Sequence, residues 1–291
     1  MTETYMVPDL PAEDYHAGPQ CSAGFLKKMK QSPYHAHYSR LHKSTPTPAM
    51  VFGTAWHAAF FERDKYLTDY AVLPEGLDKR TKEGKALWAD LTAGGRTPIS
   101  AADALVIDAM CQEAGRHPMA ALLMTPALGG LSEPSIFSRD PETGVVVRVR
   151  PDRLIPPCEM FPNGLILDGK TTTDASPQGF GKQAWNLDYY IQAALYPQVV
   201  QRLFKTPEPP EFWWLAIEKD APYGCAVYQA GSDLIEYGSR EVGQLLAIYA
   251  QCERDGVWPG YSMEVAPLSL PGWAAKAMNS NDDEITAIEY V

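Results

Sequence analysis

Val145-Val-Val-Arg148-Val-Arg150-Pro151-Asp152 and Leu165-Ile-Leu-Asp168-Gly169-Lys170 are the two stretches whose reading decides the fold. The second is a short apolar run bounded by Asn163-Gly164 and by Thr171-Thr-Thr-Asp174, the pattern of a buried strand. Side chains alternate along a strand, so Asp168 and Lys170 emerge on one face. The first stretch is another β-branched strand, ending at Pro151-Asp152. A hairpin connection through Pro156, Pro157 and Asn163-Gly164 would bring Asp152 beside Asp168. Two carboxylates at a sheet rim with a lysine adjacent suit a hard divalent cation. Mg²⁺ takes oxygen ligands, keeps several waters, and is usually held by one or two carboxylates plus a substrate phosphate.

The same region matches a second pattern. Gly164 to Thr171 reads as GxxxxGK[ST], the phosphate-binding loop of nucleotide hydrolases. Such a loop needs a helix after it, whose N-terminus carries the phosphate. Here the residues between the glycines are strand-like, and Thr171 to Asp174 with Pro177 are poor helix formers. A nucleotide hydrolase is the weaker reading.

Working outward, the 291 residues carry 36 acidic against 25 basic side chains, a net charge of −11, which disfavours a DNA binder built on a basic stripe. Net charge describes a long-range field rather than a local site, so it says little against carboxylates gathered around a metal. Five cysteines, odd in number and without a CxxC pair, point to a reducing cytosol and away from a zinc or iron–sulfur site. No apolar run is long enough to span a membrane, and MTETYMVPDLPAEDY lacks the basic-then-apolar layout of a signal peptide. The expected location is cytoplasmic, with no membrane partner.

Along the chain, residues 1–20 read as an irregular lead broken by Pro8, Pro11 and Pro19. Ser22 caps a helix to about 31, and Ser32-Pro33 breaks it before a second helix over 34–43. An apolar helix spans 50–64. Residues 71–100 read as irregular, with Lys79, Arg80, Lys82 and Lys85 as a basic patch. One long helix covers 101–124. Strands follow at 132–138, 145–154, 165–170, 212–218 and 225–229, with helices at 181–204 and 233–255. The tail beyond 258 carries several prolines and one short helix near 273–278. The class is α/β: a helical N-terminal part over 21–125, a central mixed β-sheet flanked by helices over 131–256, and a tail over 259–291.

Pro151-Asp152 followed by Asp168-Gly169-Lys170 resembles the PD-(D/E)xK nuclease signature. Gly53-x-x-x-His57 and Gln192-x-x-x-Tyr196 resemble the helix motifs that flank it in the RecB-like branch. FWWLAIEKDAPY, residues 212–223, is similar to a strand and loop of phage-type exonucleases, as is Ser22 to Pro33 to their first helix. Together these resemble the RecE-like exodeoxyribonucleases (exodeoxyribonuclease VIII) over most of residues 20–230. One position departs: relatives usually carry a bulky apolar residue between acid and lysine, where this chain has Gly169.

The resemblance implies a nuclease domain over 21–258 and an exonuclease that digests one strand of linear double-stranded DNA, 5′ to 3′, using Mg²⁺ or Mn²⁺. It leaves 3′ single-stranded tails for recombination. It implies double-stranded DNA ends as substrate, a ring-shaped homo-oligomer (tetramer or trimer) and a single-strand annealing protein as partner. Asp152 and Asp168 would be metal ligands, with the Gly169 carbonyl and Glu133 as further ligands and His57 as a ligand or a phosphate contact. Lys170 would orient or help deprotonate the attacking water and stabilise charge in the transition state. Gln192 and Tyr196 share a helix face at i, i+4 and would meet phosphate or base, Tyr196 by stacking. Arg148, Arg150, Lys79 and Arg80 are candidate DNA contacts, with Lys82 and Lys85. Arg148 and Arg150 would share a strand face with Asp152 if the strand runs on regularly. A non-catalytic DNA-end-binding module is the remaining alternative.

Overall fold

A computed structural model describes residues 4–42, 45–262, 264–272 and 274. The chain divides into two units, Met1–Trp258 and Pro259–Val291. The first opens with β1 (Tyr5–Val7), α1 (Ala12–Ala17), β2 (Cys21–Ser22), α2 (Ala23–Gln31) and α3 (Pro33–Leu41). Next come α4 (Pro48–Phe61), α5 (Arg63–Asp69), β3 (Tyr70–Leu73), α6 (Lys82–Leu91), β4 (Thr97–Ser100), α7 (Ala101–Arg116) and α8 (Pro118–Leu123). The remainder is β5 (Leu131–Ser132), β6 (Ser135–Arg139), β7 (Val146–Val149), β8 (Arg153–Ile155), β9 (Leu165–Thr172), α9 (Pro177–Asn186), α10 (Tyr189–Phe204), β10 (Glu211–Glu218), β11 (Cys225–Gln229) and α11 (Ser232–Asp255).

One sheet runs in the order β11-β10-β9-β8-β5, and a second runs β1-β6-β7-β2. In the first, β9 and β10 are parallel, and the other neighbours are antiparallel. Both faces of β9 are covered, which is why its sequence is a continuous apolar run instead of an alternating one. Ile166 belongs to the core formed with α2, α10 and α11, whereas Leu165 and Leu167 belong to the core formed with α4 and α7.

Several elements depart from the sequence expectation. The lead is not irregular: β1 pairs with β6, Tyr5 opposite Phe137, and Tyr15 is buried. A three-residue strand is too short to leave a hydropathy signal. Residues 71–100 are ordered too, as the parallel pair β3–β4 and as α6, whose first turn is capped by the Thr81 hydroxyl accepting from Gly84 N. The long helix expected over 101–124 breaks at His117, because Pro118 disfavours helical backbone before it. The helix expected over 181–204 divides at Leu187–Asp188, where Asp188 takes φ +53°.

Two expected strands also divide. Residues 132–138 split at Glu133-Pro134 into β5 and β6, and 145–154 split around Pro151 into β7 and β8. Each half joins a different sheet, with β5 on β8 and β6 on β7. Prolines lack the N–H that would continue the ladder. The expected tail helix near 273–278 lies outside the described residues, apart from Ala274. Among the described residues, no helix is long and apolar enough to cross a membrane.

Candidate active site

The site forms where the chain crosses between sheets. The β8–β9 register pairs Arg153 with Leu167 and Leu154 with Ile166, so one further step sets Asp152 opposite Asp168. β8 has ended there, and the Asp152 carboxylate takes over the ladder: its Oδ2 accepts from Gly169 N at 2.6 Å. The second crossing strand reaches the same point. Glu133 N donates to Asp152 O at 3.2 Å, and Glu133 holds a left-handed φ of +51°, an uncommon conformation for a side chain with a Cβ. Strain of this kind is a feature of sites whose surroundings over-determine them.

His57 approaches from α4. Its Nδ1 lies 3.1 Å from Asp152 Oδ2, and ligand atoms of His57, Glu133 and Asp152 fall within 4.8 Å of one another. This trio unites three of the five expected ligands. Asp168 stands beside it on the α10 face of β9, 1% exposed. Its Oδ1 accepts from Gln192 Nε2 at 3.2 Å, and its Oδ2 is paired with the Lys170 ammonium. Asp168 and Lys170 therefore share a face, on the side of Ile166.

Gly169 faces the other way. A Cβ there would lie 2.8 Å from both Phe61 Cε2 and Trp56 Cζ3. The absent side chain lets the aromatic face of α4 press onto β9, and that approach carries His57, between Trp56 and Phe61, to the site. Gly53 is less constrained: its Cβ would meet Thr171 Oγ1 at 4.0 Å, ordinary contact.

The electrostatics are those of an anion-rich pocket. Burial, then the charge of Asp152, pushes the Glu133 carboxyl up to about 8. Burial likewise raises Asp168. Burial opposes the charged forms of His57 and Asp152, but their mutual attraction outweighs it, raising the imidazole and lowering the carboxylate. Burial also opposes the Lys170 ammonium, and Asp168 and Asp152 again outweigh it, so Lys170 stays protonated. An acid held neutral beside an ionised one, with a third carboxylate buried next to both, is what a hard divalent cation would relieve. The donor set of imidazole and carboxylates fits it.

Other expected contacts are placed differently. Arg148 is 8% exposed, and its guanidinium donates to the carbonyls of Tyr15, Gly18 and His16. Arg150 donates to Ser135 Oγ and Leu10 O. Both guanidinium groups lie over the Tyr15 ring, at 4.9 and 4.3 Å from its centroid. These two arginines hold the N-terminal lead and are not free to grip DNA, a correction to the strand-face reading, since β7 stops at Val149 before reaching Asp152. Arg148→Met should cost about 1–3 kcal/mol of unfolding free energy by orphaning buried carbonyls, yet leave the salt dependence of DNA binding unchanged. Denaturant unfolding and a salt titration check both halves.

Tyr196 is buried against Phe212, so it does not stack on a base. Its hydroxyl lies 3.4 Å from Gln192 Nε2, the amide that reaches Asp168. Trp214 is likewise core. Glu218 accepts from Ala175 N and fixes the loop after β9. Arg80 is exposed and paired with Asp78, and Lys79 stacks on Trp88 at 3.2 Å from the ring centroid. The nucleotide-loop reading fails on geometry: the segment from Leu165 to Thr172 is strand throughout, and the next helix begins only at Pro177. Lys27 and Tyr189, which lie beside Lys170, carry no motif and escaped the sequence reading.

A family model described as a PDDEXK-like domain of unknown function (DUF3799) matches residues 22–269. The chain belongs to that family. The crystal structure of a "Putative exonuclease" from Eubacterium rectale shares 12% identity with this PDDEXK-like chain, covering 92% of it and 98% of that chain, with a TM-score of 0.57. The structure of SSO0001 shares 11% identity over 76% of this chain and 85% of that one, at a TM-score of 0.28, too low to bear on the fold. No curated protein matches the sequence. The mixed sheet flanked by helices is the PD-(D/E)xK fold, and family and fold together support a nuclease.

Proposed function

We propose that this PDDEXK-like protein is a divalent-metal-dependent exodeoxyribonuclease that degrades one strand of linear duplex DNA, 5′ to 3′, and leaves 3′ single-stranded tails. The observation that carries the reading is the meeting of Asp152, His57 and Glu133 with the Asp168–Lys170 pair at one point between β8 and β9. His57, Glu133, Asp152 and Asp168 would hold Mg²⁺, with Mn²⁺ as a substitute. The cation's chemistry there is to polarise the scissile phosphate and make an attacking water more acidic.

The chain's own groups do the rest. Lys170 keeps its proton and presents an ammonium toward the charge that develops on the phosphate oxygens. Gln192 and Lys170 fix the Asp168 carboxylate between them, through Oδ1 and Oδ2. Asp152 bridges His57 and Gly169 N, so helix α4 and strand β9 keep one spacing. The polarity, a ring of three or four copies with an acidic outer surface and a basic lumen, and a single-strand annealing partner complete the proposal. They follow from the resemblance of the motifs.

A digestion assay tests it. Linear duplex labelled at the 5′ or 3′ end should be degraded in Mg²⁺, spared in EDTA, and lose the 5′ label first, while covalently closed circles persist. Cutting of closed circles, or no cutting of any duplex, would overturn the exonuclease reading.

A further inference from the structure

Helix α2 delivers Lys27 to the edge of the site. Its Nζ donates to Leu187 O at 2.9 Å and lies 5.0 Å from the centroid of the Tyr189 ring. The Lys170 ammonium lies 5.0 Å from the same centroid. Tyr189 is a fixed platform, with its ring buried and its hydroxyl accepting from Gln183 Nε2 at 3.1 Å. Two ammoniums thus share one aromatic ring.

The nearby acids do not balance this second lysine. Asp188 is engaged by Lys30 at 2.6 Å, and Asp168 by Lys170. Among the described residues, Lys27 has no ion-pair partner. Burial, then the charge of Lys170, brings its pKa down to about 8. In a chain with 36 acidic side chains, an unpaired, partly enclosed lysine set beside another lysine is an unfavourable arrangement that an incoming anion would relieve. One of the three ammonium donors is spent on Leu187 O, which leaves others for a ligand.

We propose that Lys27 contacts a backbone phosphate of the DNA strand in the site, beside the phosphate that faces Lys170. This rests on the nuclease reading above. A phosphate contact releases counterions, so losing it lowers the slope of log affinity against log salt by about one. A lysine that merely anchors α2 to Leu187 would alter thermal stability and leave that slope alone.

The test compares wild type, Lys27→Met and Lys27→Arg. Affinity for a short fluorescent linear duplex is measured in Ca²⁺ across a salt series, and cleavage is followed in Mg²⁺. Lys27→Met should lower the salt slope by about one and raise KM about tenfold with a smaller change in kcat, while Lys27→Arg restores both. A wild type that cuts DNA together with a Lys27→Met variant of unchanged slope would overturn the role of Lys27 and leave the nuclease standing. A wild type that neither binds nor cuts duplex would remove both.

Discussion

Asp168→Asn lowers Mg²⁺-dependent cleavage by at least about 10²-fold, the scale set by removing one preorganised electrostatic group from a site. The substitution keeps the shape and the Oδ1 that accepts from Gln192, while the position paired with Lys170 loses both its charge and its acceptor. That charge does two things. It is the buried partner that keeps Lys170 protonated, and it is one of the carboxylates that would hold the cation. Lys170→Met should fall by a similar factor with less effect on metal affinity, because in the proposed role the ammonium serves the phosphate and is no metal ligand. Single-turnover rates with a Mg²⁺ titration separate the two. Either variant cutting at the wild-type rate would refute the assignment.

Gly169→Val carries the largest expected effect on stability. The new Cβ meets Phe61 and Trp56 at 2.8 Å, closer than real Cβ contacts come, and both neighbours are ring atoms in a packed core. Overpacking of this kind costs about 1–3 kcal/mol, or more where the backbone must move. For a domain of this size that is several degrees of Tm, roughly 2–4 °C per kcal/mol. The damage would not stay local. Helix α4 has to move away from β9, and His57 moves with it, away from Asp152 Oδ2. Cleavage should therefore fall together with stability. In a Trp56→Leu background the same substitution should cost less, giving a favourable coupling in the double-mutant cycle. A Gly169→Val protein as stable as wild type would show that α4 is not pressed onto the strand.

This glycine also explains the departure from the pattern of related nucleases. Where a bulky side chain would stand on the strand, Trp56 and Phe61 fill the space from the helix. The sequence displayed both halves, Gly169 and MVFGTAWHAAFF, but nothing in their linear order tied one to the other.

What the sequence determined by itself was whatever depends on local spacing. Period-two alternation put Asp168 and Lys170 on one face, the short apolar and aromatic runs marked β9, β10 and β11, and the i, i+4 spacing set Gln192 and Tyr196 on a common helix face. Tertiary structure decided whatever depends on which segments meet. Short elements such as β1, β3 and β4 are held by pairing and not by propensity, so they left no hydropathy signature. Arg148 and Arg150 looked like phosphate contacts until the N-terminal lead folded back and occupied their guanidiniums with its carbonyls. Glu133 joined His57 and Asp152 because two strands break at prolines at the same level of the sheets. Lys27 lies beside Lys170 across 143 residues of chain because α2 packs on the α10 side of β9. Spacing along the backbone fixes direction, whereas proximity between distant segments is set by the burial of two cores on either side of one strand.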